Sequence, residues 1–421
     1  MNSEFGTRNP ELAYLIAVLP GPAPEEGRDQ LAELKELLAT AGARFAGQMV
    51  QHRARPAAAT YFGKGKLKEL KAELDRLEPD LVVAEDELTP TQQRNLEARL
   101  GLRVIDRTAL ILDIFAQHAH TAEGKLQVEL AQLRFNLTRM RGQGTELSRL
   151  GGGIGTRGPG ETKLEVDQRV ARKRIGTLKQ RLRDVLSSRQ IMRRARLTSG
   201  MPLIALAGYT NSGKSTLLNA LTAGGAAAGD RLFETLDPTT RSYQFNGQAF
   251  IVTDTVGFIR KLPHQLIDAF HSTLEETIAA HLILHVADAC LPESELKDEI
   301  NVVELVLDDI GAGSIPRMLV LNKADLAGEQ KAFLRRAWPD AVLISARTGS
   351  GIDKLRLRIR RFFASRLRSM ELFFPHGNGN VIGQVFKIGT DVKIESQPGG
   401  VLVRARLPQE AAARFSRFQR R

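Results

Sequence analysis

The 421 residues carry 60 Lys and Arg against 48 Asp and Glu, a formal net charge of +12, with 42% hydrophobic residues and one cysteine, Cys290. That length exceeds one domain and predicts several cores, while a lone cysteine excludes a disulfide scaffold and a cysteine-rich metal site. No apolar run approaches the length of a membrane span and no signal-like start is present, so the sequence predicts a soluble, cytoplasmic protein with no membrane span.

Residues 1–7, M-N-S-E-F-G-T, resemble a cloning-vector remnant and are set aside. Leu12 to Leu19 is a strand-like run ending at Pro20, followed by Leu31, Leu34, Leu37 and Leu38 at helical spacing. Strand-like pieces at Leu81–Ala84 and Leu102–Ile105 alternate with charged helical stretches. This predicts an α/β domain with a parallel sheet over residues 8–120. Gly63-Lys64-Gly65-Lys66 lacks the spacing of a phosphate loop and reads as a turn into a basic helix. His118 and His120 have no obvious third ligand and read as solvated or packed side chains.

From Thr121 the pattern changes. Leu126, Leu130, Leu133, Leu137 and Met140 recur at spacings of four and three, and Leu164, Ile175, Leu178, Leu182 and Val185 continue an apolar stripe. Two such helices predict an antiparallel hairpin over residues 121–198, with a Gly- and Pro-rich exposed tip at 142–163. From Arg139 to Arg196 about sixteen Lys and Arg face about five Asp and Glu, roughly +11. A solvated helical face usually balances its signs, so this excess fits an RNA phosphate backbone. The candidate RNA contacts are Gly151, Gly152, Gly153, Arg157, Lys163, Arg169, Arg172 and Lys173.

Gly208-Tyr209-Thr210-Asn211-Ser212-Gly213-Lys214-Ser215, between the apolar run Leu203–Ala207 and a helix-like stretch, is a full Walker A phosphate loop. Its glycines let backbone N–H groups cradle phosphates; Lys214 would reach the β and γ phosphates, and Ser215 would hold Mg²⁺. Phe233, Glu234, Thr235, Leu236 and Asp237 form a polar loop in which Thr235 is the candidate Mg²⁺-binding switch residue. Thr239 and Thr240 read as hydroxyls of a turn after Pro238. Asp254-Thr255-Val256-Gly257 would bring Asp254 to Mg²⁺ through water and the Gly257 N–H to the γ phosphate.

Asn322-Lys323-Ala324-Asp325 follows a buried-strand pattern and reads as the guanine reader. Asp325 can accept from guanine N1–H and the 2-amino group, whereas adenine would leave a buried Asp325 unpaired. Ser345-Ala346-Arg347 would offer backbone N–H groups to guanine O6. These elements together specify GTP, with Lys214, Thr235 and Gly257 in catalytic positions. Ras-like enzymes place a water-orienting glutamine directly after the D-x-x-G glycine; Phe258 stands there, which predicts slow intrinsic hydrolysis. Asn211 has two readings: it matches the asparagine that holds K⁺ in a subset of bacterial GTPases, or it fills a loop position tolerant of left-handed geometry.

A helix through Leu355, Ile359 and Phe363 closes this GTPase domain, residues 199–366. Residues 367–421 then read as a small α+β domain, with a helical pattern at Val381–Phe386 and alternating strands at Asp391–Glu395 and Val401–Leu407.

These motifs resemble the HflX family of Obg-related translation GTPases over nearly the whole chain. The resemblance is most specific in G-G-G-I-G-T-R-G-P-G-E-T-K-L-E, Gly151 to Glu165, and is supported by Phe233–Arg241 and by D-T-V-G-F at 254–258. It implies an N-terminal α/β domain, a helical hairpin, a Mg²⁺-dependent P-loop domain whose mostly parallel sheet carries helices on both faces, and in many members a C-terminal domain. It also implies binding to the large ribosomal subunit, with the Gly-rich loop directed toward ribosomal RNA, and in some members splitting of stalled or idle ribosomes under stress. The expectation is a monomeric, ribosome-stimulated GTPase using Mg²⁺, with K⁺ as a candidate second ion. A GTP-dependent ribosome biogenesis factor or RNA chaperone is the alternative.

Overall fold

The computed structural model describes residues 10–21, 29–141, 163–198, 201–222, 232–233, 239–245, 248–261 and 271–420. By backbone contacts the chain divides into two units. One comprises Met1–Arg183, Asp230–Leu236 and Lys261–Phe270; the other comprises Asp184–Gly229, Asp237–Arg260 and His271–Arg421.

The first unit holds four parallel strands, β1 (Leu12–Leu19), β2 (Arg44–His52), β3 (Leu81–Ala84) and β4 (Arg103–Asp106), in the order β2-β1-β3-β4. Continuous apolar runs make β1 and β3 buried on both faces, as a parallel sheet under helices demands. The helices are α1 (Ala32–Thr40), α2 (Lys64–Leu77), α3 (Pro90–Leu100) and α4 (Arg107–His118). Gly63 is the extended N-cap of α2 and Lys64, Gly65 and Lys66 form its first turn, so the G-K-G-K stretch is the start of the basic helix itself and not a turn before it. Two elements have no counterpart in the sequence expectation. β2 is a half-buried edge strand in which Gln48, Gln51 and His52 interrupt the apolar pattern, and α4 begins directly from β4, capped by Asp106.

Helix α5 (Ala122–Arg141) and helix α6 (Lys163–Thr198) follow. The 36 residues of α6 span about 54 Å. Helix α5 buries Val128, Leu130, Ala131 and Phe135, while Leu126, Leu133 and Leu137 are only half-buried. The buried face is thus rotated from the expected seam, because α5 packs on α4. An ion pair of 2.7 Å from Arg174 to Glu129 joins α6 to α5. The expected tip lies outside the described residues.

Arg139, counted above among the RNA-facing charges, is committed internally. Its guanidinium pairs with the buried Asp106 carboxylate and donates to Gln93 Oε1 at 2.9 Å. Asp106 also accepts from Ala109 N at 2.9 Å and Leu88 N at 3.0 Å, so one carboxylate caps α4, fixes the loop before α3 and anchors α5. Burial pushes this carboxyl up from its ordinary range, and Arg139 opposes that shift.

The second unit is built on a six-stranded sheet ordered β10-β9-β8-β5-β7-β6. The strands are β5 (Leu203–Gly208), β6 (Thr239–Phe245), β7 (Gln248–Asp254), β8 (Leu282–Asp288), β9 (Arg317–Asn322) and β10 (Val342–Leu343), with only the β6–β7 pair antiparallel. Helices α7 (Lys214–Thr222) and α11 (Ile352–Ala364) bury Leu217, Leu218, Leu355 and Ile359 against one face. Helices α9 (Glu293–Asp309) and α10 (Gln330–Ala337) bury Leu296 and Leu334 against the other; α8 is His271–Ile278. Thr239 and Thr240 are not in a turn: they begin β6, where cross-strand pairing puts Thr240 Oγ1 3.1 Å from Thr253 Oγ1.

A three-stranded antiparallel sheet follows, β11 (Leu367–Pro375), β12 (Thr390–Gln397) and β13 (Gly400–Pro408), in the order β11-β13-β12. Helices α12 (Gly379–Ile388) and α13 (Gln409–Phe415) cover one face through Val385, Ala412 and Phe415. The whole is an α/β chain.

Replacing Arg139 by Met strands the buried Asp106 charge, at a cost of about 3–5 kcal/mol. Urea unfolding followed by circular dichroism should show the loss in the first unit, with part of it recovered when Asp106→Asn is added.

Candidate functional site

In the second unit, β5 lies between β7 and β8, so consecutive connections leave the sheet in opposite directions at its C-terminal edge. Such a switch point opens a crevice where loops converge. The phosphate-loop sequence spans this point. A Cβ on Gly208 would lie 2.1 Å from the Val286 carbonyl oxygen, and one on Gly213, whose φ is +86°, would lie 2.3 Å from Asn322 Nδ2. Only glycine fits either place. Asn211 has a left-handed φ of +59°. Among the described residues Thr210 Oγ1 and Ser212 Oγ are buried without a partner, as hydroxyls that a phosphate group would satisfy.

Lys214 begins α7 and is buried, its Nζ donating to Tyr209 O at 2.7 Å. Burial pushes its ammonium down to about 8, against the opposing pull of Asp254 and Glu299. Phosphate charge at this place would restore the protonated form. Ser215 Oγ donates to Asp254 Oδ2 at 2.6 Å. That pairing brings together a hydroxyl and a carboxylate, the hard-oxygen donors that suit Mg²⁺ when phosphate and water complete its shell. Among the described residues no group of three or more His, Cys, Asp or Glu forms a separate metal cage.

The segment after Asp254 is zipped to the phosphate loop. Thr255 Oγ1 donates to Leu206 O at 2.7 Å, Phe258 N to Gly208 O at 3.1 Å, and Thr210 N to Phe258 O at 2.8 Å. Arg260 N donates to the Tyr209 hydroxyl at 2.8 Å. A Cβ on Gly257 would lie 2.9 Å from Thr210 Cα and 3.0 Å from Lys214 Nζ, so this turn passes directly over the lysine. Phe258 is 1% exposed and fills the core under the loop, which leaves it no part in orienting water. This bridge depends on backbone atoms and on the Thr255 and Tyr209 hydroxyls, whose tertiary partners left no local signal in the sequence.

At the other end, Asn322 donates from Nδ2 to Ser212 O and accepts at Oδ1 from Ala346 N, both at 2.9 Å. Lys323, with a φ of +59°, reaches Asp288 Oδ2 at 2.7 Å; Asp288, at the end of β8, was not singled out from the sequence. Ala324 N donates to Ile344 O at 2.9 Å. The Ser345 and Ala346 N–H groups already have protein acceptors, Ser350 O and Asn322 Oδ1, so they shape the loop as well as border the crevice. Asp325 and Arg347 are exposed. The burial on which the expected selectivity of Asp325 rests is therefore not provided by the chain itself.

Phe233 is directed elsewhere than the expected polar loop. It is 2% exposed, with its ring edge-on to Phe115 at 4.7 Å inside the first unit. Glu234, Thr235, Leu236 and Asp237 lie outside the described residues, as do Gly151, Gly152, Gly153 and Arg157. Lys163 starts α6. Arg169, Arg172 and Lys173 are exposed on that helix, and Arg172 donates to Gln168 Oε1 at 3.2 Å.

Three family models match the chain in order. Residues 28–116 match "GTP-binding GTPase N-terminal", residues 118–196 "GTP-binding GTPase Middle Region", and residues 203–323 "50S ribosome-binding GTPase". A protein of Caldanaerobacter subterraneus subsp. tengcongensis described as GTPase HflX is 45% identical, over 98% of this chain and 94% of its own. Its counterpart in Escherichia coli is 39% identical, over 91% of each. Among solved structures, the complex of SsGBP with GDP has a TM-score of 0.45 at 24% identity, covering 84% of this chain and 98% of that one.

Asn322→Ala removes both loop ties and should weaken GDP binding by about 2–4 kcal/mol, read as a rise in Kd by calorimetry. Lys214 adds a pH signature. Bound phosphate favours its charged form, so binding takes up a proton once the free site deprotonates. Affinity for GDP should hold below pH 8 and fall toward about tenfold per unit above it. A flat profile between pH 7 and 9 would remove Lys214 from the phosphate contact.

Proposed function

The chain belongs to the HflX family of GTPases, and on that premise we propose that it is a GTP-driven switch acting on the large ribosomal subunit. It binds GTP and converts it to GDP and phosphate. The observation that carries the site assignment is Asn322, whose side chain ties Ser212 of the phosphate loop to Ala346 of the base-side loop. Around it, Lys214 contacts the β and γ phosphates. Ser215 and Thr235 would hold Mg²⁺, with Asp254 acting through water, and the Gly257 N–H would meet the γ phosphate. Mg²⁺ supplies charge neutralisation between the phosphates when bound. Lys323 and Asp325 read guanine.

In this reading residues 199–366 are the GTPase domain, flanked by an N-terminal α/β domain (8–120), the basic hairpin (121–198) and a C-terminal α+β domain (367–421). The switch acts through two segments that flank the γ-phosphate ligands, Asp230–Leu236 and Lys261–Phe270, both part of the first unit. Phe233 packs on Phe115, and Lys261 Nζ pairs with Asp86 Oδ1 at 2.5 Å. Both residues have left-handed φ, +56° and +52°, marking where each segment turns. We take the ordering of Thr235 and Gly257 on GTP to be transmitted to the arrangement of the hairpin and the neighbouring domains.

Large-subunit association rests on the family and on the charge of α6, where Arg169, Arg172 and Lys173 face solvent and the Gly-rich tip is taken to reach ribosomal RNA. The role we propose is splitting or rescue of ribosomes under stress, by a cytoplasmic monomer. No helix among the described residues is long and apolar enough to cross a membrane. With Phe258 buried, water positioning has to be supplied from outside, by the ribosome and, through Asn211, by K⁺.

GTP turnover with and without purified large subunits, in KCl and in NaCl at matched ionic strength, tests this directly. Subunits should accelerate turnover, and KCl should exceed NaCl in wild type but not in Asn211→Ser. Equal binding of large subunits in GDP and in a non-hydrolysable GTP analogue would end the switch proposal. Separation of intact ribosomes into subunits on a gradient, rather than capture of immature particles, distinguishes splitting from biogenesis.

A further inference from the structure

The positive charge of this chain is not confined to the hairpin. Residues 330–368 hold eleven Lys and Arg against two acids, Asp340 and Asp353. In the second unit part of this charge borders an open groove of about 940 Å³ between α9, the turn at Trp338 and α11. Lys354, Arg358 and Arg361 recur at spacings of four and three, which places them along one face of α11 and one wall of the groove. Trp338 and Leu357, the latter 39% exposed, give the groove apolar surface.

The cations are not equally committed. Arg317 is tied to Glu304 and Asp308, and Arg358 lies 3.3 Å from Asp340. Lys354 and Arg361 have no acidic partner among the described residues, nor have Arg335 and Arg336 on α10. His285 also lines the groove. It is buried and held neutral by burial and by Arg317; its Nδ1 lies 2.9 Å from Glu304 Oε1, and its Nε2 has no protein partner. His285 is only 2% exposed, so it forms part of the groove floor and offers no polar atom to a ligand. A merely solvated helix face would balance these cations with acids at i±4, and α11 offers only Asp353, paired to Arg356.

We propose that this groove is a second RNA-contact surface, in which a ribose-phosphate strand of large-subunit RNA runs along Lys354 and Arg361 beside Trp338. The proposal rests on the ribosomal reading above and names a further place of contact for it. Phosphates meet the uncommitted cations, and the half-buried Trp338 gives a base an aromatic surface to lie against. An acidic protein segment would satisfy the charge but brings no base to stack on Trp338.

Trp338 is the chain's single tryptophan, so its emission reports on this groove. The full chain, its Lys354→Gln/Arg361→Gln variant and a hairpin variant, Arg172→Gln/Lys173→Gln, are titrated with protein-free large-subunit RNA and with intact large subunits over a salt series. RNA should shift Trp338 emission in wild type. The groove variant should lose that shift, bind RNA about tenfold more weakly, show a log affinity against log salt slope smaller by about one to two, and bind GDP normally. An unchanged affinity, slope and emission in the groove variant, with weaker binding in the hairpin variant, overturns the groove and leaves the ribosomal reading intact. Weaker binding to intact subunits with unchanged binding to bare RNA overturns it in favour of an acidic ribosomal protein. Wild-type chain that binds large subunits in neither nucleotide state takes down the ribosomal reading itself.

Discussion

Two hydrogen bonds from one amide hold the nucleotide crevice together. Asn322 sits at the end of β9, and its side chain reaches Ser212 on one side and Ala346 on the other. Both partners are backbone atoms in turns, and 110 residues separate Asn322 from Ser212. Without that tie the phosphate end and the base end of the crevice would be separate loops, each free to move, and every ligand would have to restrain them on binding. The close approach also explains Gly213: a side chain there would occupy the space of the Asn322 amide.

The fold was legible wherever burial dictated composition. β1, β3, β5 and β8 are continuous apolar runs because both faces of a parallel sheet are covered. β2 was not legible, because an edge strand half-exposed to solvent tolerates Gln48 and Gln51 within it. β6 was hidden by Thr239 and Thr240, which suit turns and strands alike, so pairing with β7 decided the outcome. The phosphate loop and the N-K-x-D stretch were readable because phosphate and guanine impose residue types at fixed spacing. Asp288, the partner of Lys323, was not readable, since a carboxylate at a strand end has no local signature.

Charge sorts into two populations that composition alone cannot separate. Arg107 and Arg139 are nearly buried and committed to Glu33, Glu85 and Asp106, where they set the packing of α1, β3, α4 and α5. Lys354 and Arg361 have no such commitment. Counting Lys and Arg along the sequence therefore overstates the hairpin at Arg139 and overlooks residues 330–368. What matters for a polyanion is the charge left after internal pairing, and only the fold reveals it.

The chain crosses between its two contact units five times, at residues 183/184, 229/230, 236/237, 260/261 and 270/271. Neither unit is therefore a contiguous piece of sequence: Asp230–Leu236 and Lys261–Phe270 belong to the first unit although the chain on either side of each belongs to the second. Thermodynamic reciprocity follows. If nucleotide favours one arrangement of the first unit by some factor, whatever binds that arrangement of the first unit must tighten or loosen the nucleotide by the same factor. Under the proposed switch, the protein would be a two-way meter, in which a binding partner reads the nucleotide and the nucleotide reads the partner.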